Sequence, residues 1–247
     1  RYLYKVLEYE PAPGQFVNTA PTADEQDTPA TMVEKCTQSL ANNRRGIVSL
    51  GGYGGYITFC FDHSVRNAQG RCDFAVYGNA FDGSSEPGIV MVAQDTNGNG
   101  LPDDTWYELA GSADIDSIGK VTYGYEITYG KSPMSDIPWT DNRGCCGFVR
   151  RNTSHSQEYY PLWLPHVLNF RGTLLPNNAT DTSASGSNWV LTPLRYGYAD
   201  NLPNSNLSGC SFDIDWAVDD SRTPVHLDHI DFIRVYSATN QQCGWIG

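Results

Sequence analysis

Two runs near the C-terminal end alternate apolar and polar positions with period two: SFDIDWAV over residues 211–218 and HIDFIRVY over residues 229–236. Such alternation marks a β-strand with one buried and one wet face. Shorter runs of strand type precede them at residues 2–8, 56–62, 71–77, 88–93, 105–109, 121–129 and 189–194, separated by stretches rich in Gly, Pro, Asn and Asp. Helical periodicity occurs once, where Met32, Val33, Cys36 and Leu40 share a face. Thr28 can cap that segment, Pro29 suits its first position, and Asn42 and Asn43 end it. The pattern predicts an all-β fold of two packed antiparallel sheets, one short helix over residues 29–41, and a single domain over residues 1–247. No repeat with a period of about 20–50 residues is visible.

The stretch EPGIVMVAQDTNGNGLPDDTWYELAGS, residues 86–112, changes the picture from scaffold to chemistry. Oxygen-bearing side chains stand at Asp95, Asn97 and Asn99, followed by Gly100 and then Asp103 and Asp104. A hard cation such as Ca²⁺ wants six to eight oxygens, and a glycine at the sixth position lets the chain turn back toward it. The expected ligand set is Asp95, Asn97, Asn99, the Leu101 carbonyl, and Asp103 or Asp104, with Ca²⁺ as the cofactor. The flanks are strand-like, so the unit is strand–loop–strand and not the helix–loop–helix of an EF-hand. The position where an EF-hand carries its bidentate Glu is Trp106. An Asn/Gly/Asp-rich turn that holds no metal is the plainer alternative.

Composition narrows the partners. Arg and Lys number 16 against 28 Asp and Glu, a net charge of −12, which repels phosphate backbones and makes nucleic acid a poor partner. With 24 Gly, 15 Tyr and 14 Pro but only 18% charged residues, the chain reads as a loop-rich β protein. No segment approaches the roughly 20 apolar residues of a membrane span. The opening RYLYKVLEY is a strand and not a signal peptide, and is expected to belong to a mature or trimmed form. Seven cysteines without a C-x-x-C pair point to an oxidising compartment. Cys210 and Cys243 flank the two alternating strands and would meet if those strands paired antiparallel. Cys60 and Cys72 flank a short turn and form a second expected disulfide.

Residues 130–166 look least like scaffold. Trp139, Asp141, Asn142, Gln157, Tyr159, Tyr160 and Trp163 lie on segments broken by Pro and Gly. Rings stack on the apolar faces of sugars while amides and carboxylates take hydroxyls, so these seven are the expected ligand site. The alternative is that the rings plug the ends of a sandwich. The glycine-rich run VSLGGYGGYITFCFDH lacks the Lys-Ser/Thr and the helix of a phosphate cradle and reads as a kinked turn before a strand. Asp141, Glu158, Asp213 and Asp215 are available carboxylates for a glycoside hydrolase, yet no spacing singles out a pair. No G-x-S-x-G elbow or H-E-x-x-H helix occurs, and His226 and His229, three apart in a strand region, point to opposite faces. The expectation is a binding module and not an enzyme, with a hydrolase and a structural or adhesive subunit as alternatives.

The runs VSLGGYGGYITFCFDHSVRN, DFAVYGNAFDGSSEPGIVMVAQDTNGNGLPDDTWYELAGS, YYPLW and FDIDWAVDDSRTPVHLDHIDFIRVYSA resemble a family of uncharacterised cell-surface proteins of Bacteroidetes, over nearly the whole chain. These are typically lipoproteins or secreted parts of outer-membrane uptake systems. The resemblance implies a jelly-roll-like β-sandwich, an extracellular, outer-membrane-associated location, and other outer-membrane or surface proteins as partners. Some members accompany corrinoid uptake genes, which puts a corrinoid beside glycans as a ligand. Cys60, Cys72 and the Cys145-Cys146 pair depart from the family pattern, and relatives run on past Gly247.

Overall fold

The computed structural model of the protein describes residues 2–152 and 154–243; residues 244–247 lie outside the described residues. The chain passes through β1 (Lys5–Glu10), the helix α1 (Pro29–Leu40), β2 (Tyr56–Arg66), the short β3 (Phe74–Ala75), β4 (Gly88–Ala93) and β5 (Trp106–Leu109). It continues through β6 (Thr122–Gly130), β7 (Ile137–Asp141), β8 (Cys146–Val149), β9 (Val167–Leu174), β10 (Ala179–Asp181), β11 (Trp189–Leu191), β12 (Ser211–Phe212), β13 (Ala217–Val218) and β14 (His229–Ser237).

Two antiparallel sheets make the β-sandwich. One has the order β1-β2-β14-β4-β5-β13 and the other β8-β7-β6-β9. Alternation drives the packing: Ile57, Phe59, Val90, Val92, Ile233 and Val235 of the first sheet share one core cluster with Tyr125, Ile127, Tyr129, Ile137, Leu168 and Phe170 of the second. Buried tyrosines keep their hydroxyls satisfied, as burial demands. Tyr129 Oη donates to the Tyr53 carbonyl at 3.1 Å, and Tyr53 Oη to the Tyr125 carbonyl at 3.4 Å. The glycine-rich turn before β2 is a packing device. Gly54 has φ +88°, and a Cβ there would come within 2.2 Å of the Phe170 side chain.

The helix forms where periodicity and caps agree. Thr28 Oγ1 accepts from the Thr31 N–H and Thr31 Oγ1 accepts from the Thr28 N–H, so two orphan donors are satisfied reciprocally. Met32 and Cys36 are its buried face.

The expected strand over residues 211–218 is corrected. Asp213 Oδ1 accepts from the Asp215 N–H at 3.0 Å and starts a 3₁₀ turn at Ile214–Trp216, which splits the run. β12 then pairs with β3, while β13 pairs with β5. β14 pairs with β2 and β4, not with the preceding run. That removes the premise of a Cys210–Cys243 bridge. Cys36, Cys60, Cys72, Cys145, Cys146 and Cys210 are free thiols, so neither Cys210–Cys243 nor Cys60–Cys72 is bonded. Cys60 sits within β2, in register with Lys5 and Phe232, whereas Cys72 precedes β3 in a different sheet.

Candidate functional site

The organising loop sits between β4 and β5, which pair antiparallel through Met91–Glu108, Val92–Tyr107 and Ala93–Trp106. Gly98 and Gly100 take the left-handed backbone (φ +70° and +72°) that returns the chain. Three of the expected ligands converge: Asn97 Nδ2 reaches Asp103 Oδ1 at 3.1 Å and Asn99 Nδ2 reaches Asp103 Oδ2 at 3.0 Å. The Asp95 carboxylate accepts from the N–H groups of Asn99 (3.1 Å) and Gly100 (2.9 Å). Asp104 Oδ1 takes the Thr96 N–H at 3.2 Å and the Thr96 hydroxyl, while Asp104 Oδ2 is buried with no hydrogen-bond partner. The donor set of carboxylates, amides and a loop carbonyl is what Ca²⁺ takes, and one carboxylate oxygen stands without a proton donor. Among the described residues no group of three or more His, Cys, Asp or Glu is arranged to hold a metal, and the amide oxygens of Asn97 and Asn99 accept the N–H groups of Asn99 (2.9 Å) and Leu101 (2.7 Å). Asp231 on β14 anchors the loop: its Oδ2 accepts the Asp95 N–H at 2.8 Å and its Oδ1 the Ser64 hydroxyl at 2.5 Å.

The seven residues expected to form a ligand platform are not brought together. Tyr160 is 0% exposed, with its hydroxyl on the Pro165 carbonyl at 2.6 Å. Trp163 is 8% exposed and stacks on Tyr9 with ring centres 5.8 Å apart. Both are core, because the sandwich end must be filled with large apolar volume. Asp141 Oδ1 holds the β7–β8 turn through the N–H groups of Arg143 and Cys145. Asn142 clamps β6 through the Gly124 carbonyl and the Glu126 N–H. The Gln157 carbonyl accepts from Arg151. Glu158, one of the carboxylates considered for hydrolysis, spends its oxygens on the N–H groups of Tyr160 and Met134. Trp139 and the buried Tyr159 line a large cavity.

That cavity is an open cleft of about 2400 Å³. Its floor includes Ile57 and Phe59 of β2, Tyr129 of β6, Trp139 of β7 and Val235 of β14. One wall comes from residues 13–16, 43–52 and 147–159. Gly14 N–H donates to the Tyr159 carbonyl at 2.9 Å, Gly52 N–H to the Pro13 carbonyl at 3.1 Å, and Phe16 meets His155 edge-on at 4.9 Å. The other wall comes from residues 73–88, 188–190 and 199–204. Here Asp200 Oδ1 accepts from the N–H groups of Asn79 and Ala80, both at 2.7 Å, and Asn204 Nδ2 donates to the Gly78 carbonyl at 2.7 Å. A Cβ on Gly78 would lie 2.1 Å from Asp200 Oδ1, so only glycine permits this junction. The Leu191 N–H reaches the Gly83 carbonyl at 2.8 Å and ties in the β10–β11 hairpin.

These ties hold large rings in water. Tyr77 and Phe81 are 59% and 62% exposed on one wall, which Trp189 also lines, and Phe16 and Phe148 are exposed on the other. Asn79, Asn188, Asn204 and Gln242 line the same cleft. Glu86 is an exposed residue of the Phe81 wall whose carboxyl has neighbouring protein packed about it. That crowding pushes it up to about 7, and Asp200 adds repulsion. The sequence pattern treats residues 78–86 as a polar loop; the sign of function there is an aromatic, Phe81, in a stretch with no other apolar residue large enough to need burial. No family model matches the chain, and no curated protein matches its sequence.

Proposed function

We propose that the protein is an exported, surface-exposed binding module, stabilised by Ca²⁺ at the β4–β5 loop, that takes a glycan or another exogenous small molecule, a corrinoid among them, in an outer-membrane uptake system. The observation that carries this reading is the cleft, where exposed rings and side-chain amides face a common space between two walls fixed by backbone hydrogen bonds. Rings supply area at little entropic cost, amides supply paired donors and acceptors, and walls already ordered before binding lose little freedom on it. A calcium ion at the β4–β5 loop would be held by Asp95, Asn97, Asn99, Asp103 or Asp104 and the Leu101 carbonyl; its chemistry there is charge neutralisation and loop closure, remote from any reacting bond.

Calorimetric titration of the purified chain against glycan and corrinoid panels tests the reading. Phe81→Ala and Trp189→Ala should each weaken a bound ligand about tenfold or more, the range of truncated aromatic anchors, with melting temperature unchanged. Binding untouched by both changes, or no binding across the panels, overturns it.

A further inference from the structure

Apart from His63, which lines the cleft from β2, the ionisable acidic and basic side chains of the two walls are sorted by sign. Arg44, Arg45, Arg150 and His155 line the first wall, and no carboxylate lines the cleft from those segments. Asp73, Asp82, Glu86 and Asp200 line the second, with no Arg, Lys or His among its lining residues. In a chain with 28 acidic and 16 basic residues, a wall without carboxylates is not what composition alone would give. Partners then decide which charges remain open to a ligand. Asp73 spends both oxygens on the N–H groups of Ala68 (2.8 Å) and Ile214 (3.0 Å), and Asp200 Oδ1 is taken by Asn79 and Ala80. Asp82 carries the acidic pole, and Glu86, whose carboxyl is pushed up to about 7, adds hydrogen-bonding oxygens that are only partly ionised near neutral pH. Arg44 gives one N–H to the Gln38 carbonyl at 2.8 Å, and Arg150 pairs with Asp136 at 2.5 Å and lies over the Phe148 ring at 4.9 Å. A guanidinium has five N–H donors, so both keep spare donors, as does Arg45.

We infer that the cleft selects a ligand bearing an anionic group, a carboxylate, sulfate or phosphate, on a body rich in hydroxyls or amides. The anion docks against Arg45 and Arg150, and the hydrogen-bond donors of the body face Asp82 and Glu86. This inference rests on the cleft being the binding site. The reverse orientation sets like charge against like and is disfavoured, so charge fixes register as well as class. The planar guanidinium of Arg150, placed over the Phe148 ring, is suited to the paired oxygens of such a group.

The test compares matched probes. A hyaluronan octasaccharide should bind about tenfold tighter than its carboxyl-reduced counterpart, and cobalamin, with its phosphodiester, tighter than cobinamide, which lacks it. The two pairs separate a sugar-borne from a corrinoid-borne anion. The gap in the pair that binds should shrink in roughly 0.5 M NaCl, where screening is short-ranged. Arg45→Gln alone should narrow that gap, and Arg45→Gln with Arg150→Gln should close it while the neutral probe and the melting temperature stay as they were. Neutral and charged probes bound alike, with both Arg variants silent, overturn this inference and leave the cleft as the binding site. No binding of any probe overturns both.

Discussion

Trp163 offers the sharpest check on how the aromatic residues divide between core and ligand surface. It is 8% exposed, stacks on Tyr9 at 5.8 Å and 22°, and belongs to the main core cluster. Trp163→Ala removes that ring and leaves a cavity the rigid sheets cannot fill, at a cost of about 3–5 kcal/mol. For a chain of this length each kcal/mol lowers the melting temperature by about 2–4 °C, so the expected drop is roughly 6–20 °C. Its Nε1 is buried without a hydrogen-bond partner. Trp163→Phe loses part of the ring but also removes that orphan donor, whose burial costs about 1–3 kcal/mol. The Phe variant should therefore melt much closer to the parent than the Ala variant does. Scanning calorimetry with a denaturant titration measures both, and ligand titration on the Phe variant gives the second readout. A Trp163→Ala protein that melts within a degree of the parent but no longer binds would place the ring on the ligand surface and defeat the packing argument.

If the β4–β5 loop holds Ca²⁺, chelation with EGTA should lower the melting temperature. A hundredfold excess over Kd contributes about 2.7 kcal/mol; Mg²⁺ should not restore it, and Asp95→Ala should melt alike in all three conditions. Equal melts for the parent in every condition, with no metal by elemental analysis, would leave a plain polar turn. Thiol titration of the native protein should find Cys72, Cys145 and Cys146 fast, since they are exposed, and Cys36 slow, because burial holds its thiol up at about 12. Mass mapping that finds Cys210 joined to Cys243 would overturn the reading of Cys210 as a free thiol. Glu86 rises from 4.5 to about 7 on folding, so the folded chain holds that proton longer than the unfolded chain does. The stability it contributes is full below its ordinary value and is lost as pH rises through about 7. Glu86→Gln should flatten the decline in melting temperature between about pH 4.5 and 7, and parallel profiles for parent and variant would show that Glu86 is not the source.

Local chemistry determined much of the scaffold. Period-two alternation over residues 229–236 needs only a buried and a wet face, and β14 forms there as His229–Ser237. Thr28, Pro29 and the Met32–Cys36 face specify α1 within one residue at its C-terminal end, because caps and periodicity act within a few residues of each other. The strand–loop–strand character of residues 86–112 is likewise local, as glycines at 98 and 100 and the flanking apolar runs leave few alternatives. Tertiary structure decided the rest. Residues 211–218 carry the same alternation as β14, yet Asp213 finds the N–H of Asp215 and breaks the strand, and alternation cannot reveal that competition. Nor does composition distinguish a ring that plugs a core from one that meets a ligand. Trp163 and Tyr160 are buried while Phe81 and Tyr77 stand in water, because exposure depends on which segments cover which, a matter of long-range pairing. The cleft exists because residues 73–88 are tied to residues 199–204, more than a hundred positions away, through Asp200 and Asn204. Each side chain in that junction is an ordinary polar loop residue by sequence. Only the folded chain puts the acceptors of one loop against the donors of the other, and so gives the rings a fixed wall.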